Sequence, residues 1–408
     1  MANIVFCWEL GAALGHAGRL KALARPLRAR GHNVSFVLRD LVHTRRLLAD
    51  TGIPVYQAPL WLHRVEGLPP GEASLADILL ACGWLDADAM AGLVDGWRHL
   101  LGALHADVVV GDYAPAALLA ARSLGIASSA VGAGFQIPPA GPLPPLRDWE
   151  AVPQARMAAT EARVLATANA VLARHGAAPY VRAADLLRGD VPLLCTWPEL
   201  DPWDRAGVDE RWFGATIGGA GAGAGVPAWP DGDGPRVFAY LRGPHPEHGA
   251  MLEALARAGC RTLCYLPDVA AGAAPPFAHP LIAWAAGPVA LDMALRESSF
   301  AICHAGESTV SQSLLAGVPL LMLPRTAESF LTARRVRRLG AGINVNEMAR
   351  PLDWDAVVGR MLGERDFRVA AQAFARRHAD VAADRQAETI AGVLEGLVRR
   401  PAAAPVPR

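Results

Sequence analysis

Short apolar runs alternate along the whole chain with longer stretches whose apolar positions recur at helical spacing. In the first half the runs are NIVFCW, NVSFVL, IPVYQA, DVVVGD and IASSAV. In the second they are RVFAYL, CRTLCYL, SFAICH, VPLLML and GINV. Strand-like runs separated by helical segments predict parallel sheets flanked by helices, because a parallel strand is reached only through a crossover. Between the halves lies GGAGAGAGVPAWPDGDGP, residues 218–235, whose Gly/Ala/Pro content cannot pack a core and reads as a flexible linker. It divides the chain into a first domain over residues 1–217 and a second over 236–365. A helical stretch at 366–398 is long enough to cross back onto the first domain, and RRPAAAPVPR, 399–408, reads as a disordered tail. FQIPPAGPLPPLRDWEAVP, 135–153, is too proline-rich for regular structure and predicts a long loop over the first sheet.

Composition narrows the classes. At 408 residues the chain calls for two cores, and 52% hydrophobic with 19% charged residues fits a packed α/β protein. The 39 basic and 39 acidic residues cancel, so nothing points to nucleic acid or an anionic membrane. Lys21 is the only lysine, which argues against a P-loop lysine or a Schiff base. Cys7, Cys82, Cys195, Cys260, Cys264 and Cys303 show no CxxC pair and no metal-ligand spacing, and several fall in apolar runs where a thiol behaves as a small hydrophobe. MANIVFCWEL meets Glu9 at once and reads as a first strand, not a signal peptide. With no apolar stretch of about 18 residues, the expectation is a cytoplasmic protein without a transmembrane segment.

Two turns carry candidate chemistry. In ICHAGESTVSQSLLAGVPLLMLP, residues 302–324, a strand feeds a helix beginning near Ser308 through a turn holding His304, Ala305, Gly306, Glu307 and Thr309. Helix-start N–H groups with the Ser308 and Thr309 hydroxyls suit a diphosphate. Ser308 serving only as an N-cap, with Glu307 complementing the helix dipole, fits the same residues. The first strand ends in a second turn with Gly11, Gly15 and Gly18, which do not fit GxGxxG. His16 lies at the mouth of that turn, and DVVVGD ends in Asp112 at the same sheet edge. A histidine oriented by a buried carboxylate makes a general base, and a solvent-facing loop histidine is the other reading. GPHPEHG brings His245 and His248 together without a third ligand at metal spacing. The arginines of TARRVRRLG read as a solvated helix face.

The stretch from Cys303 to Val345 resembles the nucleotide-sugar signature of GT-B glycosyltransferases, the family that includes UDP-glycosyltransferases and bacterial antibiotic glycosyltransferases. Gly15–His16 followed by RGHNVSFVL is similar to that family's opening. The resemblance implies an α/β GT-B fold of two Rossmann-like parallel-sheet domains facing a cleft, with a C-terminal helix returning to the N-terminal domain. It puts His304, Ala305, Gly306, Glu307, Ser308 and Thr309 at the donor's diphosphate, Glu328 and Ser329 at its sugar, and Trp284 near its nucleobase. His16 falls at the catalytic base and Asp112 at its orienting acid. Gly15, Trp61, Trp84 and Phe135 are the acceptor-side candidates. Three positions depart from the pattern: Ala305 replaces a glycine, Glu307 sits in the variable place, and Ser329 replaces the usual glutamine. The implied activity is an inverting, metal-independent transfer from a UDP- or dTDP-linked sugar, as co-substrate, to a hydroxyl of a hydrophobic small-molecule or lipid-like acceptor. A GT-B nucleotide-sugar epimerase and a non-catalytic sugar-nucleotide-binding or activator relative are the rival readings.

Overall fold

The structure, a computed structural model, describes residues 1–12, 14–151, 153–205, 210–216, 224–380 and 383–398. Among them the chain folds into two compact units, the first comprising residues up to Thr216 together with the last helix, the second the residues between.

The first unit holds a parallel sheet of β1 (Asn3–Trp8), β2 (Asn33–Leu38), β3 (Val55–Gln57), β4 (Val108–Asp112), β5 (Ala127–Gly132) and β6 (Leu193–Leu194), in the order β3-β2-β1-β4-β5-β6. The second holds β7 (Arg236–Tyr240), β8 (Arg261–Tyr265), β9 (Ile282–Trp284), β10 (Phe300–Cys303), β11 (Leu320–Met322) and β12 (Gly342–Asn344), in the order β12-β11-β10-β7-β8-β9. Each sheet thus repeats the doubly wound order, and in each the winding reverses beside its first strand. The crevice outside the strand ends at that reversal is where such sheets bind ligands. Register aligns the two strand ends there: Trp8 pairs with Asp112 in the first sheet and Tyr240 with Cys303 in the second.

The alternating pattern predicted ten of these strands. It missed β6 and β9, edge strands of two and three residues. No helix among the described residues is long and apolar enough to cross a membrane. None of the six cysteines forms a disulfide, and five are buried.

Two expectations about the chain's organisation need correction. The stretch 366–398 does not act as one returning segment. Its first helix, Arg365–Arg377, belongs to the second unit, where Phe367 joins the core of β7, β10 and β11. Only Ala383–Val398 packs on the first unit, burying Ile390, Ala391 and Leu394 against Leu20, Leu23 and Leu27 of the Gly15–Ala29 helix. Of the glycine-rich linker, residues 218–223 lie outside the described residues, as does the tail 399–408. The remainder is anchored to the second unit instead of swinging free. Gly225 bridges Val289, Trp229 packs on Phe238, Leu263 and Ala294, and the Arg261 side chain donates to the Pro230 carbonyl at 2.6 Å. A tryptophan buries enough apolar area to overrule the local composition.

Leu394 has no exposure in that interface. Leu394→Ala is therefore expected to cost the first unit about 2–5 kcal/mol, the usual loss for a buried leucine, read from urea unfolding followed by a first-unit probe. A cost below about 1 kcal/mol would mean that the last helix is not part of that core.

Candidate active site

At the end of β4 the Asp112 carboxylate has no solvent exposure and collects three donors from two elements. His16, the second residue of the Gly15–Ala29 helix, donates through Nδ1 to Oδ1 at 2.8 Å. Arg19, one turn further along that helix, donates Nη1 to Oδ2 at 2.5 Å. Gln136, in the loop after β5, donates Nε2 to Oδ1 at 3.0 Å. Burial works to raise the Asp112 carboxyl, but the charge of Arg19 and the partnership of His16 outweigh it and hold it at about 2. An ionised carboxylate only accepts, so the His16 hydrogen is on Nδ1 and the Nε2 lone pair is left for chemistry.

The ring of His16 is further constrained. It stacks on Trp8, centroids 5.3 Å apart and 18° between planes. Gly11 faces its other end at φ +80°, where a Cβ would stand 2.7 Å from His16 Nε2. Only glycine both tolerates that backbone and leaves the nitrogen uncovered. Close approach recurs at Gly132, where a Cβ would stand 2.0 Å from the Gln136 amide nitrogen. His16 is thus a helical, largely buried residue rather than a solvent-facing loop histidine.

A second buried carboxyl stands beside this group. Glu9 Oε2 accepts the N–H of Ala116 at 2.8 Å, at the start of the Pro115–Leu124 helix. Burial pushes its pKa up to about 8, against the opposing pull of the Ala116 and Ala117 N–H groups and of Arg39.

In the second unit β10 delivers His304 to the start of the Glu307–Leu315 helix. That helix begins at Glu307 with Gly306 as its cap, so Ser308 is not the cap that its sequence position suggested. Glu307 is half-buried and accepts from Ser311 Oγ at 3.1 Å, and Ser308 Oγ accepts from Gln312 Nε2 at 3.1 Å. Thr309 is buried. Ala305 stands at φ +56°, a left-handed conformation that costs a residue with a side chain roughly 1–2 kcal/mol. This accounts for the glycine in the related pattern. His304 Nδ1 donates to the Leu323 carbonyl at 2.7 Å, while burial and the charges of Arg325 and Arg242 lower its pKa.

Glu328 and Ser329 lie in the first turn of the Ala327–Arg338 helix, where Ser329 closes a capping box with Thr326, a duty that a glutamine there could also perform. Trp284 ends β9, half-buried, its indole N–H on the Phe277 carbonyl at 3.2 Å. Phe135 stacks on Trp203 at 5.8 Å beside Gln136. Gly15 is exposed with open space around it, and Trp61 lies over Gly83. Trp84 is a correction: with no exposure it is core, and its ring has no surface to offer an acceptor.

Sequence reasoning missed Arg19 and Gln136. The i, i+3 spacing from His16 marks Arg19 as sharing its helix face, and Gln136 follows the strand next to β4. It also left His245 and His248 without a third partner. In the structure His304 supplies one, at ring-centroid distances of 5.8 and 5.4 Å. Among the described residues, no group of three or more His, Cys, Asp or Glu side chains is arranged to hold a metal ion.

Two doubly wound parallel sheets, each carrying polar groups at its reversal point, define the GT-B fold. Solved structures with that fold match almost end to end. The kitacinnamycin glycosyltransferase is 19% identical, with 97% of this chain and 98% of that one covered and a TM-score of 0.71. Glycosyltransferase VinC in complex with dTDP is 16% identical, with 98% and 100% covered and a TM-score of 0.68. In sequence the chain is similar to the PGL/p-HBAD biosynthesis glycosyltransferase of Mycobacterium tuberculosis, 26% identical over 399 residues, covering 91% of this chain and 88% of that protein. No family model matches the chain.

The Glu9 carboxyl yields a prediction of sign. Its folded pKa lies above the unfolded value of 4.5, so its contribution to stability is complete below about pH 4.5 and drains away as the pH climbs to about 8. Glu9→Gln is expected to remove that loss, stabilising the first unit relative to wild type by an amount that grows between pH 5 and pH 8 to about 2–4 kcal/mol. Urea titrations at pH 5.5 and 8.0 measure it; an equal difference at both pH values would mean that Glu9 is ionised in the fold.

Proposed function

We propose that this chain is an inverting glycosyltransferase that moves a sugar from a UDP- or dTDP-linked donor to a hydroxyl of a hydrophobic small molecule, without a metal ion. The observation that carries this reading is the His16–Asp112 pair, 2.8 Å apart at the reversal point of the first sheet. With its Nδ1–H held by a buried carboxylate, His16 keeps the Nε2 lone pair free to take a proton from an acceptor hydroxyl. Asp112 fixes the tautomer and offsets the charge of the imidazolium that forms. Arg19 and Gln136 hold Asp112 in turn, so they are positioning residues for the base. The acceptor oxygen attacks the anomeric carbon, the bond to the diphosphate breaks, and the sugar's configuration inverts.

The second unit holds the leaving group in this reading. Backbone N–H groups at the start of the Glu307–Leu315 helix, with His304, Ser308 and Thr309, meet the diphosphate and stabilise the charge that grows on it. Glu328 and Ser329 stand for the sugar and Trp284 for the base. Support comes from the dTDP held by VinC and from the glycosyltransferase names of the relatives in both sequence and structure. Phe135, packed beside Gln136, favours an apolar acceptor. The non-catalytic alternative rests on the departures Glu307 and Ser329, whose side chains bond locally to Ser311 and Thr326, while the His16–Asp112 pair favours catalysis.

His16→Ala is expected to lower transfer by ~10²–10⁴-fold while nucleotide affinity stays within a few-fold of wild type. The assay follows nucleotide release from UDP- and dTDP-glucose with a panel of phenolic acceptors, alongside calorimetric titration with UDP and dTDP. Near-normal turnover in the variant would sink the mechanism.

A further inference from the structure

His245, His248 and His304 gather at the reversal point of the second sheet, where β7 and β10 end side by side. Their ring centroids are 5.2, 5.8 and 5.4 Å apart. Two rings present a nitrogen with no partner. His248, 1% exposed, has an unpartnered buried Nε2, and so has His304 at 9%. Orphaned buried polar atoms are rare in folded proteins and ask for a ligand or a role.

Tautomers follow from the partners that are present. His304 Nδ1 faces the Leu323 carbonyl, which only accepts, so the neutral ring carries its hydrogen there and a lone pair on Nε2. His245 Nδ1 accepts the Glu247 N–H at 3.2 Å, so its hydrogen is on Nε2. A ring presenting N–H at that position is not poised as a metal ligand, in line with the lack of a metal-holding arrangement among the described residues.

We propose that His245, His248 and His304 act as one proton-charged clamp on the donor's diphosphate, which binds together with a proton taken up by the cluster. The idea rests on the donor site proposed above and specifies how that site is charged. With no anion present, the groups facing the cluster disfavour protonation. Arg242 and His245 come from the loop after β7, Arg325 from the loop after β11, and Arg350 from the segment beyond β12. Glu247 opposes them but is engaged by Arg350 and by the Trp354 indole N–H. Glu307, on the turn itself, accepts from Ser311. Burial keeps Tyr240 and Cys303 neutral by raising both. All three histidines are lowered by burial first and by these positive or like neighbours second, His248 to about 4. An arriving diphosphate reverses the balance. Its negative charge stabilises an imidazolium, the lone pair on Nε2 takes a proton from solvent, and the new N–H becomes a charged donor to a phosphate oxygen. The proton returns to solvent when the nucleotide leaves.

The test is calorimetric titration of the full chain with UDP-glucose and dTDP-glucose, whose esterified phosphates do not titrate near neutral pH, and with UDP and dTDP as reference ligands. Runs at pH 7.0 in two buffers of different ionisation enthalpy count the protons exchanged. The expected result is uptake approaching about one proton, with affinity rising roughly three- to tenfold from pH 7.5 to 6.5. His248→Gln and His304→Gln, which remove the two orphaned nitrogens, should each reduce the uptake and flatten that pH dependence. The wild-type count stands even if a variant folds poorly. Binding of the nucleotide sugars without proton uptake, or uptake unchanged in both variants, overturns the clamp and leaves the donor site intact. No binding of any of the four nucleotides overturns the donor site and the clamp together.

Discussion

A carboxylate without solvent is costly unless every lone pair is answered. Asp112 meets that demand at the end of β4 by drawing His16 and Arg19 from one helix and Gln136 from a loop beyond the neighbouring strand. Much of the first unit follows from this. The helix after β1 must begin where His16 can reach the carboxylate, Gly11 must stay bare so that the ring fits, and Gly132 must let the Gln136 amide pass. Arg19 gives the group a further property. Its guanidinium helps to keep the buried carboxylate ionised, and so able to orient His16.

The second unit solves the mirrored problem with opposite chemistry. Its sheet repeats the same strand order, and its polar cluster again follows the two strands flanking the reversal. Here the groups are histidine rings with lowered pKa values and backbone N–H donors, which the function proposed above assigns to a diphosphate. Ala305 in a left-handed conformation and the orphaned nitrogens of His248 and His304 each cost the fold stability. Nearby Glu307 and Ser329 answer to local helix-start chemistry.

Periodicity made the architecture legible because buried parallel strands such as NIVFCW and RVFAYL are near-continuous apolar runs with helices between them. It failed at two short edge strands, β6 and β9, and where one side chain overrides composition, as Trp229 does in the glycine-rich segment. The helical stretch 366–398 read as one piece because amphipathic periodicity does not say which core a helix face meets. Of the site, His16, Asp112 and His304 were legible because each ends a strand or opens the helix after one. Arg19, Gln136 and the joining of His304 to His245 and His248 were not, since they depend on distances between segments far apart in the chain. Trp84 misled because an aromatic residue reads alike as pocket lining and as core.

In the function proposed above, the base belongs to the first unit and the diphosphate to the second. Hydrogen exchange of the full chain with saturating UDP or dTDP tests it most directly. The amides protected by nucleotide are expected to lie in the second unit, concentrated in the turn and helix start at 303–310 and the loop at 241–248, while the segments around His16 and Asp112 stay at their unliganded rates. Protection confined to residues 1–216, or none with either nucleotide, would contradict it.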